Sequence, residues 1–499
     1  MKKSFSKYFL ALVVSSQTFQ VLLVARELNF DAGLYAFLWL AGFGFFSFNT
    51  SFLFWETVFF LILPEEKFHS VKESRAKAAV IWCLKNERDG ICERVAYAVS
   101  GNRDQNIDFW ILSDSDAAFE DPEREVFAEV SRRTGVPIYY RRREKRIERK
   151  QGNIKEWLWE HRTVYRYFFV CDADSIIPPG TVLRLIEKAE HPENKTVAIF
   201  QASIDITHAK TLFARLQAAG QAIAQRFYFP AQQRIFGKAV CFGHNCLIRV
   251  DDFLRIKLPE GVLSHDIWET ALLDRLGKRT VFCGEVATFD EAPSNYLELR
   301  RRDRRWAKGT FGAWPLLFLK GIPVESRFLA FYSMYLYLCQ PLFLFWMLSG
   351  FFWEFFFVSP LFAFPGNSGS VFMFSAAVVF LHKFSAVRNF RGAFLVAKEI
   401  VLSTILSLNN VFYQSLDFFS LIFEKKIGWE PMKKDPFLKI SFGECFRCLW
   451  SGSLTGLVLF CLGLKGAPGW LALSAPFLLS FSLSIPCVYF SGKPPENRS

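Results

Sequence analysis

The feature that most constrains this chain is where its charges fall. Residues 64–327 hold 80 of the 108 Lys, Arg, Asp and Glu residues, and the flanks on either side hold only 28 among long apolar runs. Ionised side chains are costly in hydrocarbon. The central block is therefore built for water, and the flanks for a membrane. Composition agrees: 22% charged residues are too many for a compact transporter, and 51% hydrophobic residues too many for a disordered chain. The net charge of +12 divides equally between block and flanks, which leaves no dominant basic surface for nucleic acid. Eleven scattered cysteines, an odd number, do not form a disulfide framework. Reduced thiols suit a cytosolic domain. Cys445-Phe-Arg-Cys448 has a zinc-like spacing, but no second ligand pair stands nearby.

Residues 8–25 and 34–63 read as membrane spans, with no small-residue cleavage site between them. Thirty helical residues reach about 45 Å, enough for a hydrocarbon core of about 30 Å. Further candidates are 328–349, 371–387, 449–464 and 469–490. Lys2, Lys3 and Lys7 hold the N-terminus inside, and the 350–370 connection, without Lys or Arg, belongs outside. The stretch 395–423 is apolar but carries Asn409, Asn410, Gln414 and Asp417, and Lys425, Lys426, Lys433, Lys434 and Lys439 follow it. It reads as an amphipathic helix in the cytosolic interface. This gives six spans, or eight if 34–63 is a helical hairpin.

In the central block, Ala78–Leu84, Ile107–Leu112, Val136–Tyr140, Tyr167–Cys171 and Val197–Gln201 read as strands, with helical patterns at 122–134, 153–162 and 180–190. The alternation predicts βαβ units and a mostly parallel sheet. Ligands bind beyond the carboxyl ends of such strands. Polar residues gather there: Asn86 and Glu87, then Ser113-Asp114-Ser115-Asp116, then Asp172-Ala173-Asp174. One acidic turn is ordinary turn chemistry; three along one edge indicate a site. Two carboxylates one residue apart can share Mg²⁺ or Mn²⁺, hard ions that bridge carboxylates to a diphosphate.

Three later clusters each admit two readings. Arg149-Lys150-Gln151-Gly152-Asn153, just before a predicted helix, suits a phosphate. It is equally a solvated basic turn, because seven of the ten residues 141–150 are Lys or Arg. Ser264-His265-Asp266 opens the predicted helix 266–276. Asp266 is either a dipole partner there or a general base for a hydroxyl. Arg301-Arg302-Asp303-Arg304-Arg305-Trp306, with Lys308, is either a juxtamembrane basic patch or a diphosphate-binding Arg beside a Trp platform for a sugar.

In this order the motifs resemble the processive, membrane-embedded glycosyltransferases of family 2, and within them the osmoregulated periplasmic glucan synthases. The likeness rests on Asn86-Glu87, Leu112-Ser113-Asp114, Gly152-Asn153, Asp172-Ala173-Asp174-Ser175, Gly243-His244-Asn245, Leu263-Ser264-His265-Asp266 and Arg302-Asp303-Arg304-Arg305-Trp306. It continues to Leu483-Ser484-Ile485-Pro486, across nearly the whole chain. The resemblance implies an α/β GT-A (Rossmann-like) cytosolic domain at 64–327, inserted in an α-helical transmembrane bundle. Two spans would lie in 1–63 and the rest in 328–499, with the interfacial helix 395–423 and a gating loop 424–440 around Gly428-Trp429-Glu430-Pro431. It implies inverting transfer of glucose from UDP-glucose to a growing β-glucan, with export across the bacterial inner membrane, and Mg²⁺ or Mn²⁺ as cofactor. The implied partners are UDP-glucose, a glucan acceptor, the bilayer, and a small acidic carrier protein or a periplasmic glucan-processing protein; nucleic acid is not among them.

Carried over by position, Glu87 and Asp114 would meet the uracil end of UDP and Lys150 would lie near the nucleotide. Asp172, near the ribose or diphosphate, would join Asp174 at the metal. Gln201 and His244 would line the acceptor side, Asp266 would be the base, and Arg305 and Trp306 would hold diphosphate and acceptor sugar. The sequence departs from the pattern at Arg302, which replaces the Gln of QxxRW, and in having no long cytosolic extension before the first span. Two other classes remain in view. A transporter with a degenerate cytosolic domain would need ionisable residues inside the spans, and almost none are seen. A single-addition transferase with a lipid acceptor would share every motif.

Overall fold

The computed structural model describes residues 5–28, 33–87, 90–357, 367–387, 390–423 and 440–494. Lys2, Lys3, Arg388, the C-terminal residues from 495 and the expected gating loop with Trp429, save Ile440, lie outside the described residues. The chain begins with α1 (Ser6–Ala25) and α2 (Leu34–Ile62). α2 is one continuous helix, which removes the hairpin reading and the eight-span count. Between lipid-facing helices, attraction comes from close packing rather than from water exclusion. Phenylalanine supplies the contact area: Phe9 meets Phe52 and Phe59 edge-on, with ring centroids 5.1 and 5.5 Å apart, a geometry the ring quadrupole favours. The ring of Phe52 stacks on Tyr332 at 4.1 Å.

The central block alternates strand and helix: β1 (Ala78–Leu84), α3 (Ile91–Gly101), β2 (Ile107–Ser113), α4 (Glu120–Thr134), β3 (Ile138–Arg142), α5 (Arg149–His161), β4 (Tyr167–Cys171), α6 (Thr181–Glu190) and β5 (Val197–Thr207). Then come α7 (Leu212–Ile223), α8 (Phe229–Phe236), β6 (Cys246–Arg249), the single turn α9 (Val250–Phe253), α10 (His265–Arg275), β7 (Arg279–Glu291) and α11 (Tyr296–Phe311). The strands form one sheet in the order β3-β2-β1-β4-β6-β5-β7. All neighbours are parallel except β6, which runs antiparallel to both β4 and β5. The sheet is buried on both faces, with Val80, Trp82, Phe109 and Phe169 in one core layer and Ile81, Leu112, Phe168 and Val170 in the other. Near-continuous apolar strands are what a doubly covered parallel sheet requires.

α12 (Val324–Phe357) leaves the soluble block, followed by α13 (Asn367–Leu381), α14 (Phe390–Ser407), α15 (Asn409–Phe423), α16 (Phe442–Gly466), α17 (Pro468–Ser482) and α18 (Ser484–Ser491). Among the described residues four helices are long and apolar enough to cross a membrane: α1, α2, α12 and α16. The expected span at 371–387 falls on the 15-residue α13 and the 3₁₀ turn after it, an apolar stretch shorter than those four. The expected span at 469–490 is broken: α17 and α18 meet at 55°. Pro486 explains the break, since it has no N–H to give the carbonyl of Ser482 and so belongs in the first turn of a new helix. The expected single helix 395–423 is two helices, α14 and α15, meeting at 48°.

α16 and α17 touch at Gly456. A Cβ there would stand 2.7 Å from the Ser482 amide nitrogen and 2.8 Å from the Leu478 carbonyl oxygen. Backbone cannot yield as a side-chain tip can. Gly456→Val is therefore expected to destabilise the C-terminal helices by about 1–3 kcal/mol, the usual cost of overpacking, while Gly443→Val, where nothing lies within 4 Å, should be neutral. Thermal unfolding of both variants in detergent checks this.

Candidate active site

The register of the sheet brings the three acidic turns together. Leu84 of β1 pairs with Ser113 of β2, and Trp82 pairs with Cys171 of β4, so Glu87, Asp114 and Asp172 leave the same edge. Asn86 and Asp116 clasp the first two turns: Asn86 Nδ2 donates to Asp116 Oδ2, and the Asp116 amide donates to Asn86 Oδ1, both at 2.8 Å. Asp116 also takes a bond from Arg146 at 2.6 Å, and Arg146 and Asn86 together hold its carboxyl below the usual range. Glu87 stands half-buried at this edge.

Asp114 is placed otherwise than the resemblance implied. It is 7% exposed, and Arg143 holds both carboxylate oxygens at 2.6 and 3.0 Å, with Asn153 Nδ2 adding a bond at 3.0 Å. The same guanidinium donates to the carbonyls of Ile147 (2.9 Å) and Arg149 (2.5 Å). Asp114 is thus the buried anchor that closes the 143–149 loop, not an open contact for a base ring. The physical reason is charge: a carboxylate taken this far out of water needs a cation, and Arg143 is the one within reach. The basic run 149–153 does not precede a helix; it is the first turn of α5. Gly152 is explained by the chain itself, because its backbone lies against the Ile147 carbonyl too closely for any Cβ.

Lys150 is carried by that turn to Asp172, donating to Oδ1 at 2.5 Å and to the Gly243 carbonyl at 2.8 Å. Burial, the largest single influence, would lower its pKa, but Asp172 together with Cys83 and Cys246 outweighs burial and raises it. The turn after β4 is pinned from behind: Arg94 Nε of α3 donates to the Ala173 carbonyl at 2.8 Å, and the Asp172 amide donates to Ser175 Oγ at 3.0 Å. Asp174, half-buried, completes the turn.

The loop 241–245 reaches this edge because β6 runs backwards: Val170 at the end of β4 pairs with Cys246 at the start of β6. Gly243 has φ +80°, a region open to glycine at no steric cost. His244 sits between two carboxylates, with Nε2 2.7 Å from Asp290 and Nδ1 3.7 Å from Asp172. Burial pushes its pKa down, but Asp290 and Asp172 prevail and raise it to about 10. His244 therefore stands beside Asp172, not apart from it on an acceptor side. Gln201 is also placed otherwise than expected. It is fully buried, its Oε1 accepts from the Phe242 amide (2.8 Å), and its Nε2 donates to the His244 carbonyl (3.0 Å). A side chain spent on the loop backbone cannot line an acceptor cleft; it holds the loop in place.

On its other side the loop touches α10. The Cys241 amide donates to Thr270 Oγ1 (2.9 Å), and a Cβ at Gly243 would lie 3.2 Å from His265 and 3.6 Å from Asp266. His265 Nδ1 is 2.7 Å from Gln151 Nε2 and 3.1 Å from Glu269. Burial pushes the Asp266 carboxyl above its ordinary range, although His265 draws it down. α11 packs beside α10 at Gly309, where a Cβ would stand 2.5 Å from Ser264 Oγ. Arg305, one turn earlier, shares that face of the helix. The Trp306 ring is 51% exposed and carries the Arg302 guanidinium 4.1 Å above it. Here the replacement of Gln by Arg gives the indole a cation partner. Trp306 and Arg302 border a cavity of about 300 Å³, also lined by Gln217, Gln221, Glu399 and Asn410.

The structure thus gathers Lys150, Asp172, Asp174, His244 and, across one short loop, Asp266. Sequence reasoning missed Arg143, Asp290, Thr270 and Arg94, which position these groups. Only Asp290 had a visible signal, as the acidic end of an apolar run. The carboxylates also fit a divalent ion. Asp172 is partly open, with 41% of its side chain exposed, and its neighbour Asp174 shares the turn. No group of three or more His, Cys, Asp or Glu side chains suited to a metal occurs among the described residues.

Sheet order, helix placement and acidic edge define a GT-A domain flanked by membrane-type helices. Residues 167–386 match the model of glycosyl transferase family group 2, so the chain carries a glycosyltransferase domain, together with helices long and apolar enough to cross a membrane. Curated relatives agree. The glucans biosynthesis glucosyltransferase H of Bradyrhizobium diazoefficiens is 28% identical over 429 residues, covering 77% of this chain and 56% of the relative. Its namesake in Caulobacter vibrioides is 26% identical over 435 residues, covering 77% and 64%. That of Shewanella putrefaciens is 26% identical over 496 residues, covering 87% and 66%. The chain thus spans between about half and two thirds of the length of these relatives. A mannosyltransferase from Pyrobaculum calidifontis, solved with GDP-Man and Mn²⁺, has the same fold at 15% identity and TM-score 0.51, covering 79% of this chain and 99% of its own.

The positioning role of Arg143 is open to test. Arg143→Met leaves Asp114 buried without its cation and should cost about 3–5 kcal/mol, while Arg143→Met with Asp114→Leu, which removes both charges, should recover most of that. Denaturant unfolding of the two variants gives the comparison; equal losses would mean that the pair is not the anchor.

Proposed function

We propose that the chain transfers glucose from UDP-glucose to a growing β-glucan, with inversion, from a cytosolic GT-A domain set in the bacterial inner membrane, and passes the product outward. One observation carries the reading: the loop 241–245 joins the Asp172–Lys150 cluster directly to the N-terminus of α10 and Asp266. A diphosphate site and a carboxyl with a raised pKa within one loop's width are what a displacement at an anomeric carbon needs. The curated relatives' shared name supports glucose and a glucan. A cavity that sets the polar groups of Gln217, Gln221 and Asn410 among apolar walls beside an exposed indole supports a sugar acceptor over the alternative of a lipid acceptor.

In this mechanism Asp172 and Asp174 hold Mg²⁺ or Mn²⁺, which when bound neutralises charge on the departing diphosphate. Lys150 lies beside the diphosphate. Asp266 accepts the proton of an acceptor hydroxyl. That oxygen forms a bond to the anomeric carbon as the bond to UDP breaks, and the electron pair leaves on the diphosphate, which Arg305 stabilises. Trp306 offers a face for the acceptor ring. Glu87 stands at the nucleoside end of the edge.

Two outcomes follow. EDTA should remove transfer, Mg²⁺ or Mn²⁺ should restore it, and Asp174→Asn should lower it at least about 100-fold at unchanged thermal stability; a radiolabelled UDP-glucose assay reads all three, and full activity of Asp174→Asn in EDTA would sink the metal role. Asp266→Asn should lower kcat by about 10²–10⁴-fold and leave UDP affinity unchanged. The wild-type base must be deprotonated, and its pKa is raised. The acid limb of kcat/KM should therefore fall above pH of about 4, where an ordinary carboxylate titrates, and should be absent from the residual activity of Asp266→Asn.

A further inference from the structure

α15 lies along α11, and three of its polar residues bond there. Gln414 Nε2 reaches Asp303 Oδ2 at 3.5 Å, Asp417 takes a two-pronged bond from Arg300 at 2.7 and 2.8 Å, and Ser420 Oγ accepts from Arg304 at 2.9 Å. The rings of Phe418 and Phe311 meet at 5.3 Å, and the Arg300 guanidinium lies 4.9 Å over Tyr413. These contacts span residues 300–311 of α11 and 413–420 of α15, so the helices meet along one seam of about two to three turns. A planar guanidinium on a carboxylate fixes direction as well as distance, and a slip of one residue along a helix is about 1.5 Å. The seam therefore sets both the rotation and the axial register of α11. The next residues on α11 are Arg305 and Trp306, and the end of α11 abuts Ser264 beside Asp266. α14 and the start of α15, through Glu399, Ser403 and Asn410, wall the cavity that Trp306 borders.

We infer that α15 is a positioning strap for the transfer reaction, with Asp417 and Arg300 as the positioning pair that places Arg305 and Trp306 against Asp266. The inference rests on the glycosyltransferase reading above and adds to it a role for a helix that touches neither the sheet edge nor the donor cluster. Misplacement of about 1 Å at a reacting group is enough to cost up to about 100-fold in rate. The donor side, built on β1, β2 and β4, does not depend on the seam.

The test uses the full-length chain in nanodiscs and the pair Arg300→Met with Asp417→Leu, which removes both charges together and leaves neither buried alone. A second variant, Asp417→Asn, keeps the shape and one neutral bond in case the first does not fold. The expected result is a kcat lowered about tenfold or more, a donor KM within about twofold of wild type, and shorter products, all at retained thermal stability. Simple packing of an interface helix would not separate kcat from donor KM in this way. A folded variant with wild-type kcat and product length would overturn the strap alone. So would a raised donor KM at unchanged kcat. Absence of transfer by the wild-type chain would overturn the glycosyltransferase reading and the strap with it.

Discussion

The candidate site depends on one reversal of chain direction. β6 enters the sheet antiparallel between β4 and β5, so the loop before it arrives at the edge where the parallel strands end. Had β6 run parallel, its preceding loop would have emerged on the far side, and no residue would connect the Asp172 turn to α10. The loop is buried, and a buried backbone must find partners. Gln201, Thr270, Lys150 and the Val170 carbonyl supply them, and Asp290 holds the side chains of His244 and Asn245. Each partner comes from a different element, so the loop fixes β4, β5, α5, α10 and β7 relative to one another at the point where chemistry is expected.

The second constraint is the membrane. Gln and Asp within an apolar helix gain from a protein partner, because lipid offers none. For α15 the pairing partner is α11, a helix whose basic residues would otherwise be only a solvated patch. The two sequences solve each other's problem: the cations of α11 neutralise Asp417, and the polar groups of α15 give Arg300 and Arg304 fixed directions. A buried ion pair of this kind adds little net stability over apolar packing. What it adds is a single allowed orientation. The bends before α15 and α18 likewise mark where sequence rules out a straight crossing.

Much of the soluble fold was legible because its signals are local. β1, β2 and β4 are apolar runs closed by Asn86-Glu87, Asp114 and Asp172, and that pattern needs no tertiary knowledge. β6 was not legible, since four residues are too few to show a period. β7 hides its apolar run behind Gly284-Glu285, where its register with β5 shifts. The start of α5 was read four residues late, because Glu148 and Arg149 adopt left-handed backbone and the segment reads as a turn. Asp114 and Gln201 were given ligand contacts that the fold spends internally. In both cases the missing fact was a partner, Arg143 or the Phe242 amide, 29 or 41 residues away. The order of motifs identifies which residues share an edge. It does not say which of them face outward.

The two halves of the chain meet at the site rather than beside it. The cavity next to Trp306 takes Gln217 and Gln221 from α7 of the soluble block, and Glu399 and Asn410 from the C-terminal helices. Its polarity has the same origin as the seam on α15: side chains barred from lipid turn toward the protein. Glu399 illustrates this, since its carboxylate is held by Lys383 at 2.7 and 2.9 Å while it borders the cavity. The Asp172 cluster, by contrast, is made of loops on the sheet edge and the first turn of α5. The cavity and the Asp172 cluster are thus built from different elements, so the wall of one can shift without displacing the other.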